Sequence, residues 1–159
     1  MKVLTLRRPW AYAVVCGAKD VENRSRKTHY RGELLIHAGI GFEQHALHKL
    51  VALGVEIPSP IDPDTVDHPY FASGAIVGSV QVVNCIQDSW SPWAAPGRWH
   101  WLLRDPVVFN MPIPCRGMLG LWNVPAELEA AVEAARTAAA FLDATREPVQ
   151  LGGLSVKLA

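Results

Sequence analysis

The run from Gly74 to Gln87, G-A-I-V-G-S-V-Q-V-V-N-C-I-Q, constrains the fold more than any other stretch of this chain. It is rich in Val and Ile, whose branched side chains suit a pleated, half-buried surface, and it carries the strongest strand signal in the sequence. Gly78 interrupts it. A glycine inside a strand marks a bulge or the close approach of another backbone. A strand of this length that bends needs neighbours that bend with it, so the run points to a curved or closed sheet.

The other elements are read around that strand. Lys2 to Leu6 predicts a first strand, and Pro9 suits the first position of a short helix. Trp10 to Cys16 is apolar nearly all round, so this helix should be buried, with Gly17 ending it. Asp20 to Arg24 predicts a short strand and Ser25 to Gly32 a polar loop. In Glu33 to His37, Leu34, Leu35 and Ile36 are apolar on both faces, which predicts a central strand. Phe42, Ala46, Leu47, Leu50, Val51 and Leu53 recur at helical spacing. Gly54 to Ser73, with four prolines and three aspartates, reads as a long acidic loop. Trp99 to Leu103 predicts a strand, Asp105-Pro106 a turn, and Val107 to Phe109 another strand. Pro112 and Pro114 exclude Met111 to Gly117 from a central strand. Leu119 to Val124 is a short closing strand.

From Pro125 to about Leu142 a helix is expected, with Glu127 and Glu129 in the first turn as the helix dipole prefers. Its seam of Leu128, Val132, Ala135, Ala139 and Leu142 should pack on the chain's own core rather than on a second copy. Few helices and about six strands make the class α+β, a small β-barrel flanked by helices. The expected organisation is one domain over 1–124, a C-terminal helix over 125–146 packed on it, and a tail over 147–159. There is no internal repeat.

Charge then narrows the function. A net charge of zero over 159 residues argues against coating of nucleic acid or membrane by bulk electrostatics. The distribution is uneven, however: residues 1–37 hold eight Lys/Arg against three Asp/Glu, while residues 43–67 hold five acids against Lys49 alone. A local basic face on a neutral chain fits a small anionic ligand or a short nucleic-acid contact. Cys16, Cys85 and Cys115 are widely spaced, with no CxxC, and read as buried reduced thiols. The N-terminus meets charge too early for a signal peptide, and no apolar run nears a bilayer-spanning length, so a cytoplasmic protein is expected.

The chemistry should concentrate between Lys19 and His37, which hold five basic residues, three acidic ones and two histidines beside a buried strand. Charges this dense are costly to desolvate unless they pair or meet a ligand. Period-two geometry puts Glu22 and Arg24 on one face of their strand, roughly 7 Å apart. Lys19 can contact a phosphate or polarise a carbonyl, or stand as a surface ammonium. Glu22 can accept from the exocyclic amine of a base, activate water, or simply pair with Arg24. Arg8, Arg24 and Arg31 can clamp phosphate or make structural ion pairs. Trp10 and Tyr30 offer stacking faces, of which Tyr30, in a loop, is the better placed. His37 is either a pocket hydrogen-bonder or a satisfied core histidine. His45 and His48 fall at i,i+3, a spacing that can hold a metal, but no third ligand fits the pattern, and neither metal nor cofactor is expected.

These residues also carry a resemblance. Leu6-Arg-Arg-Pro-Trp-Ala11, Gly17-Ala-Lys19-Asp-Val-Glu22-Asn-Arg24-Ser and Tyr30-Arg-Gly32 followed by Leu35-Ile-His37-Ala resemble the ASCH domain, the activating-signal-cointegrator homology module of the PUA-like superfamily. Gly74-Ala-Ile-Val-Gly78-Ser-Val, Trp99-His-Trp and Arg116-Gly-Met-Leu-Gly-Leu-Trp122 match its second half. The resemblance spans roughly residues 1–123 and implies a PUA-like barrel with a cleft beside the first helix, engaged in RNA- or nucleotide-related work. Some members are binding modules; others are small enzymes, including amidohydrolases acting on acylated cytidine and some nucleases. The lysine of the amidohydrolases falls on Lys19, but their catalytic threonine falls on Glu22, a departure that removes the hydroxyl nucleophile.

The expected function is therefore binding of RNA, single-stranded nucleic acid or a nucleotide in a basic cleft formed by Arg8, Trp10, Arg24, Tyr30, Arg31 and His37. The alternative is hydrolysis of an acylated cytidine-type nucleoside by Lys19 and Glu22, or of RNA by Lys19 and His37. A third reading is a protein-interaction domain that uses its C-terminal seam. A monomer with no membrane contact is expected.

Overall fold

Leu34, Leu35 and Ile36 are completely buried because a strand apolar on both faces must be covered on both. In the computed structural model, which describes residues 1–56 and 72–145, they lie in strand β3 (Gly32–Phe42). β3 runs between β4 (Ala75–Ile86), antiparallel to it, and β1 (Lys2–Arg8), parallel to it. With β2 (Val21–Arg24), β5 (Trp99–Pro114) and β6 (Leu121–Asn123), these form one six-stranded sheet in the order β2-β5-β4-β3-β1-β6. The α+β, barrel-like architecture thus holds, with the sheet left open between its edges β2 and β6.

The period-two alternation sorts side chains to two faces. Leu4, Leu34 and Ile36 point to one face, where Ala11, Val14 and Val15 of helix α1 (Trp10–Val15) cover them. Val3 and Leu35 point to the other, where Val132 and Ala139 of helix α3 (Glu129–Thr145) join Ile76, Phe109 and Trp122. A single 3₁₀ turn, Ala126–Leu128, precedes α3 where an unbroken helix from Pro125 was expected. A third, smaller cluster seats Leu50 of helix α2 (Gln44–Ala52) against Ala13, Val21 and Trp93. Because β1 and β3 are parallel neighbours, the chain between them must cross over. Residues 9–31, including α1 and β2, form that crossover.

Two expectations change. Asp105-Pro106 does not turn the chain: β5 runs unbroken from Trp99 to Pro114, and Met111 to Pro114 join it as an edge beside β4 alone, not as a central strand. Asp105 takes a left-handed φ of 48° and absorbs an irregularity in the ladder with β4. β2 pairs only with Trp99 to Leu102, so beyond that point β5 has one free edge where a proline need not donate. Gly78 is the close approach its position suggested: a Cβ there would lie 2.1 Å from the Val107 carbonyl oxygen and 2.9 Å from Val15. Cys16 is exposed rather than buried, while Cys85 is buried, and all three thiols are free. Most of the acidic loop (57–71) and the tail (146–159) lie outside the described residues. No helix among the described residues is long and apolar enough to cross a membrane.

Candidate functional site

Gly17, at a φ of 80°, ends α1, and the Lys19 N–H bonds back to the Ala13 carbonyl at 2.8 Å. This tight exit turns the Lys19 side chain under the helix, leaving the residue only 5% exposed. Its ammonium donates to Glu22 Oε2 at 2.9 Å and to the Val21 carbonyl. It also lies 5.9 Å from the centre of the Trp10 ring. Of its three N–H bonds, two are thus engaged within the chain. The Glu22 side chain is 12% exposed, and its second oxygen is 3.9 Å from the Arg24 guanidinium.

This pair lines a cavity of about 350 Å³ beside the first helix. Trp10 and Trp93 form its apolar walls, meeting edge to face with centroids 6.2 Å apart. Asn23 and the His45, Ala46 and Lys49 positions of α2 complete it. Both indoles are held. Trp10 donates its ring N–H to Glu43 Oε2 at 2.8 Å, and Arg7 reaches Glu43 Oε1 at 3.2 Å. The Trp10 bond, against a smaller opposing effect of burial and with help from Arg7, holds the Glu43 carboxyl below the usual carboxylate range. Asn23 clamps the loop that carries Trp93: its amide donates to the Trp93 carbonyl at 2.8 Å, and its oxygen accepts from the Ala95 N–H at 2.9 Å. Ser91 Oγ accepts from the Trp93 N–H at 3.2 Å and donates to Asp20 at 2.6 Å.

Lys19, Glu22 and Trp10 therefore meet around one hollow, which Arg24 does not line although it lies 3.9 Å from Glu22. The remaining expected residues lie elsewhere. Arg8 is buried, donates to the Ile40 carbonyl at 2.6 Å and lies over Phe42. Tyr30 packs against the core and donates its hydroxyl to the Glu33 carbonyl, so Trp10, not Tyr30, lines the cavity. Arg31 is exposed but is tied to the Thr28 and Tyr30 carbonyls and to Asn84. His37 is buried beneath Gly117 and bonds the Cys115 carbonyl at 3.0 Å; burial holds its imidazole below the ordinary histidine value. No cluster of three metal-ligating side chains occurs among the described residues. A wider apolar hollow of about 770 Å³ opens between the end of β5 and the 3₁₀ turn, but its only charged walls are Arg116 and Glu127.

Sequence reasoning missed Asn23, Lys49, Trp93 and the bracing role of Glu43. Only the i,i+4 placement of His45 and Lys49 on one helical face was readable in advance. The meeting of α2, β2 and the Trp93 loop is tertiary.

Comparison with known proteins fits this geometry. The family model described as "ASCH domain" matches residues 4–109. Among solved structures, the chain is similar to a tyrosine-to-phenylalanine mutant of the ZmASCH protein from Zymomonas mobilis, with 16% identity and a TM-score of 0.51. That match covers 84% of this chain and 96% of the other, and at such identity it speaks for the fold alone. No curated protein matches the chain. With two thirds of its length matched by the family model and its sheet laid out as in a solved ASCH protein, the chain belongs to the ASCH domain family, whose PUA-like fold is often linked to RNA binding.

Proposed function

We propose that this ASCH domain binds a cytosine-type nucleobase, as a nucleotide or within RNA or another single strand, in the cavity lined by Trp10 and Trp93. The observation that carries the reading is the buried, half-engaged Lys19–Glu22 pair in a cavity that two indoles also line. A cytosine edge offers an exocyclic amine beside ring acceptors. Glu22 supplies an acceptor for the amine, and the third ammonium N–H of Lys19 supplies a donor for the acceptors. Base–aromatic stacking adds about 1–3 kcal/mol. A volume of about 350 Å³ sits at the lower end for small-molecule sites, room for one nucleoside and not for a stacked pair. Lys49, 5.6 Å over the Trp93 ring and lining the same cavity, would take the phosphate.

The test is titration of cytidine and uridine 5′-monophosphates followed by tryptophan fluorescence. Saturable binding that favours cytidine, with the preference flattened in Glu22→Gln, is expected. No saturable binding of either nucleotide removes the reading.

The same pair supports a second reading, hydrolysis of an N-acylated cytidine. Lys19 would donate to the acyl oxygen while Glu22 takes a proton from the attacking water; the C–N bond breaks and the proton passes to the leaving amine. Release of carboxylic acid from acetylcytidine, lost in Lys19→Ala and Glu22→Gln, is its signature. RNA cleavage by Lys19 with His37 has no such support, because His37 does not line the cavity.

A further inference from the structure

Beyond the cavity, the β2–β5 pair and the turns that flank it carry four cations, Arg24, Arg26, Lys27 and Arg98, two of which lie over indole rings. Glu22 and Arg24 pair across the ladder with Trp101 and Trp99, so these four side chains share one face. Arg24 lies 5.8 Å over the Trp101 ring, and Lys27 lies 5.3 Å over the Trp99 ring. Arg26 is exposed between them, its carbonyl accepting from the Trp101 ring N–H at 3.4 Å, and Arg98 is exposed just before Trp99. Residues 23–32 and 89–104 contain no acid at all. Among the described residues, Arg26, Lys27 and Arg98 meet no carboxylate within ion-pair distance.

Arg7 and Arg136, by contrast, each meet a carboxylate, at Glu43 and at Glu33. Gathering unpaired cations from two separate segments costs about 0.6 kcal/mol of repulsion per pair at 7 Å in water, and an indole face holds a cation in place without neutralising it. An anion laid along these cations relieves that repulsion.

We infer that the strip of Arg24, Arg26, Lys27 and Arg98 carries the phosphates of a single-stranded oligonucleotide whose neighbouring base occupies the cavity. The inference rests on the nucleobase reading for its direction, because the strip starts at Arg24, beside Glu22. It adds that the partner is a strand of several nucleotides and assigns Arg26, Lys27 and Arg98 to its backbone. A single strand is favoured because a base in a duplex reaches such a cavity only by flipping out, at a cost of a few kcal/mol.

The experiment compares a labelled seven-residue cytidine oligonucleotide with cytidine 5′-monophosphate on the full chain and on Lys27→Ala/Arg98→Ala. Both positions are exposed, so the fold survives the change. Loss of two phosphate contacts lowers oligonucleotide affinity about 60-fold at 50 mM salt and about fivefold at 300 mM, from a slope of about −0.7 per contact. Mononucleotide affinity stays unchanged. Unchanged oligonucleotide affinity in the double variant overturns the inference, as does a duplex that competes equally well. If the mononucleotide binds but the oligonucleotide binds no tighter, the strip assignment falls and the nucleobase reading stands. If the mononucleotide fails to bind but oligonucleotide binding depends on Lys27 and Arg98, the nucleobase reading falls and the strip stands.

Discussion

At the scale of single residues, the Lys19–Glu22 pair joins ligand chemistry to stability. Removing one partner of a buried pair leaves the other charge uncompensated, at a cost of about 3 kcal/mol. Lys19→Met should therefore lower the urea midpoint clearly, and Lys19→Met/Glu22→Leu should recover most of it while abolishing nucleotide binding. A double variant that regains stability and still binds would detach the pair from the ligand. His37 makes a separate prediction. Its folded pKa is depressed by burial, so the unfolded chain takes up the proton first. Stability attributable to His37 is then complete above its ordinary value near 6.5 and declines as pH falls below it toward the folded value. Thermal melts between pH 7 and 5 should show that decline, and His37→Gln should flatten it. The Glu43 carboxyl, also held low, contributes its own loss only below about pH 4.5, so the two windows separate.

At the scale of elements, the bend in β4 is the tightest constraint. Gly78→Ala would drive a methyl into the Val107 carbonyl and Val15, forcing β5 and α1 apart, at a cost of about 2–3 kcal/mol in a denaturant titration. A loss below about 0.5 kcal/mol would show that the two elements yield easily. This element was legible in the sequence because its single glycine, Gly78, stands where the packing leaves no room for a side chain. β5 was not, because Asp105-Pro106, Pro112 and Pro114 carry the local signature of turns, and only its free edge beyond Leu102 lets them stay in the sheet. The site divides in the same way. Lys19 and Glu22 are three residues apart and their meeting is local, whereas Trp93 reaches Asn23 from 70 residues away. No periodicity encodes that contact.

At the scale of the whole molecule, the two faces of the sheet do different work. α1, which carries the cavity's Trp10, packs on the face of Leu4 and Ile36, while α3 covers the face of Val3 and Leu35. Val132 is fully buried there, so Val132→Asp should destabilise the chain by about 3 kcal/mol through an unpaired buried carboxylate. Nucleotide affinity of the fraction that remains folded should not change. A parallel loss of affinity in that folded fraction would show that the faces are coupled.

The crossover between β1 and β3 gives the layout its last consequence. The lysine, the glutamate, the first indole and most of the positive strip all belong to this one excursion of the backbone. β1, β3 and β4 pair with one another through ladders that use none of the residues of the detour. Transplanting residues 9–31 from another chain of the same layout should exchange what is recognised and leave the scaffold standing, so that one short insert acts as the interchangeable part of an otherwise fixed frame.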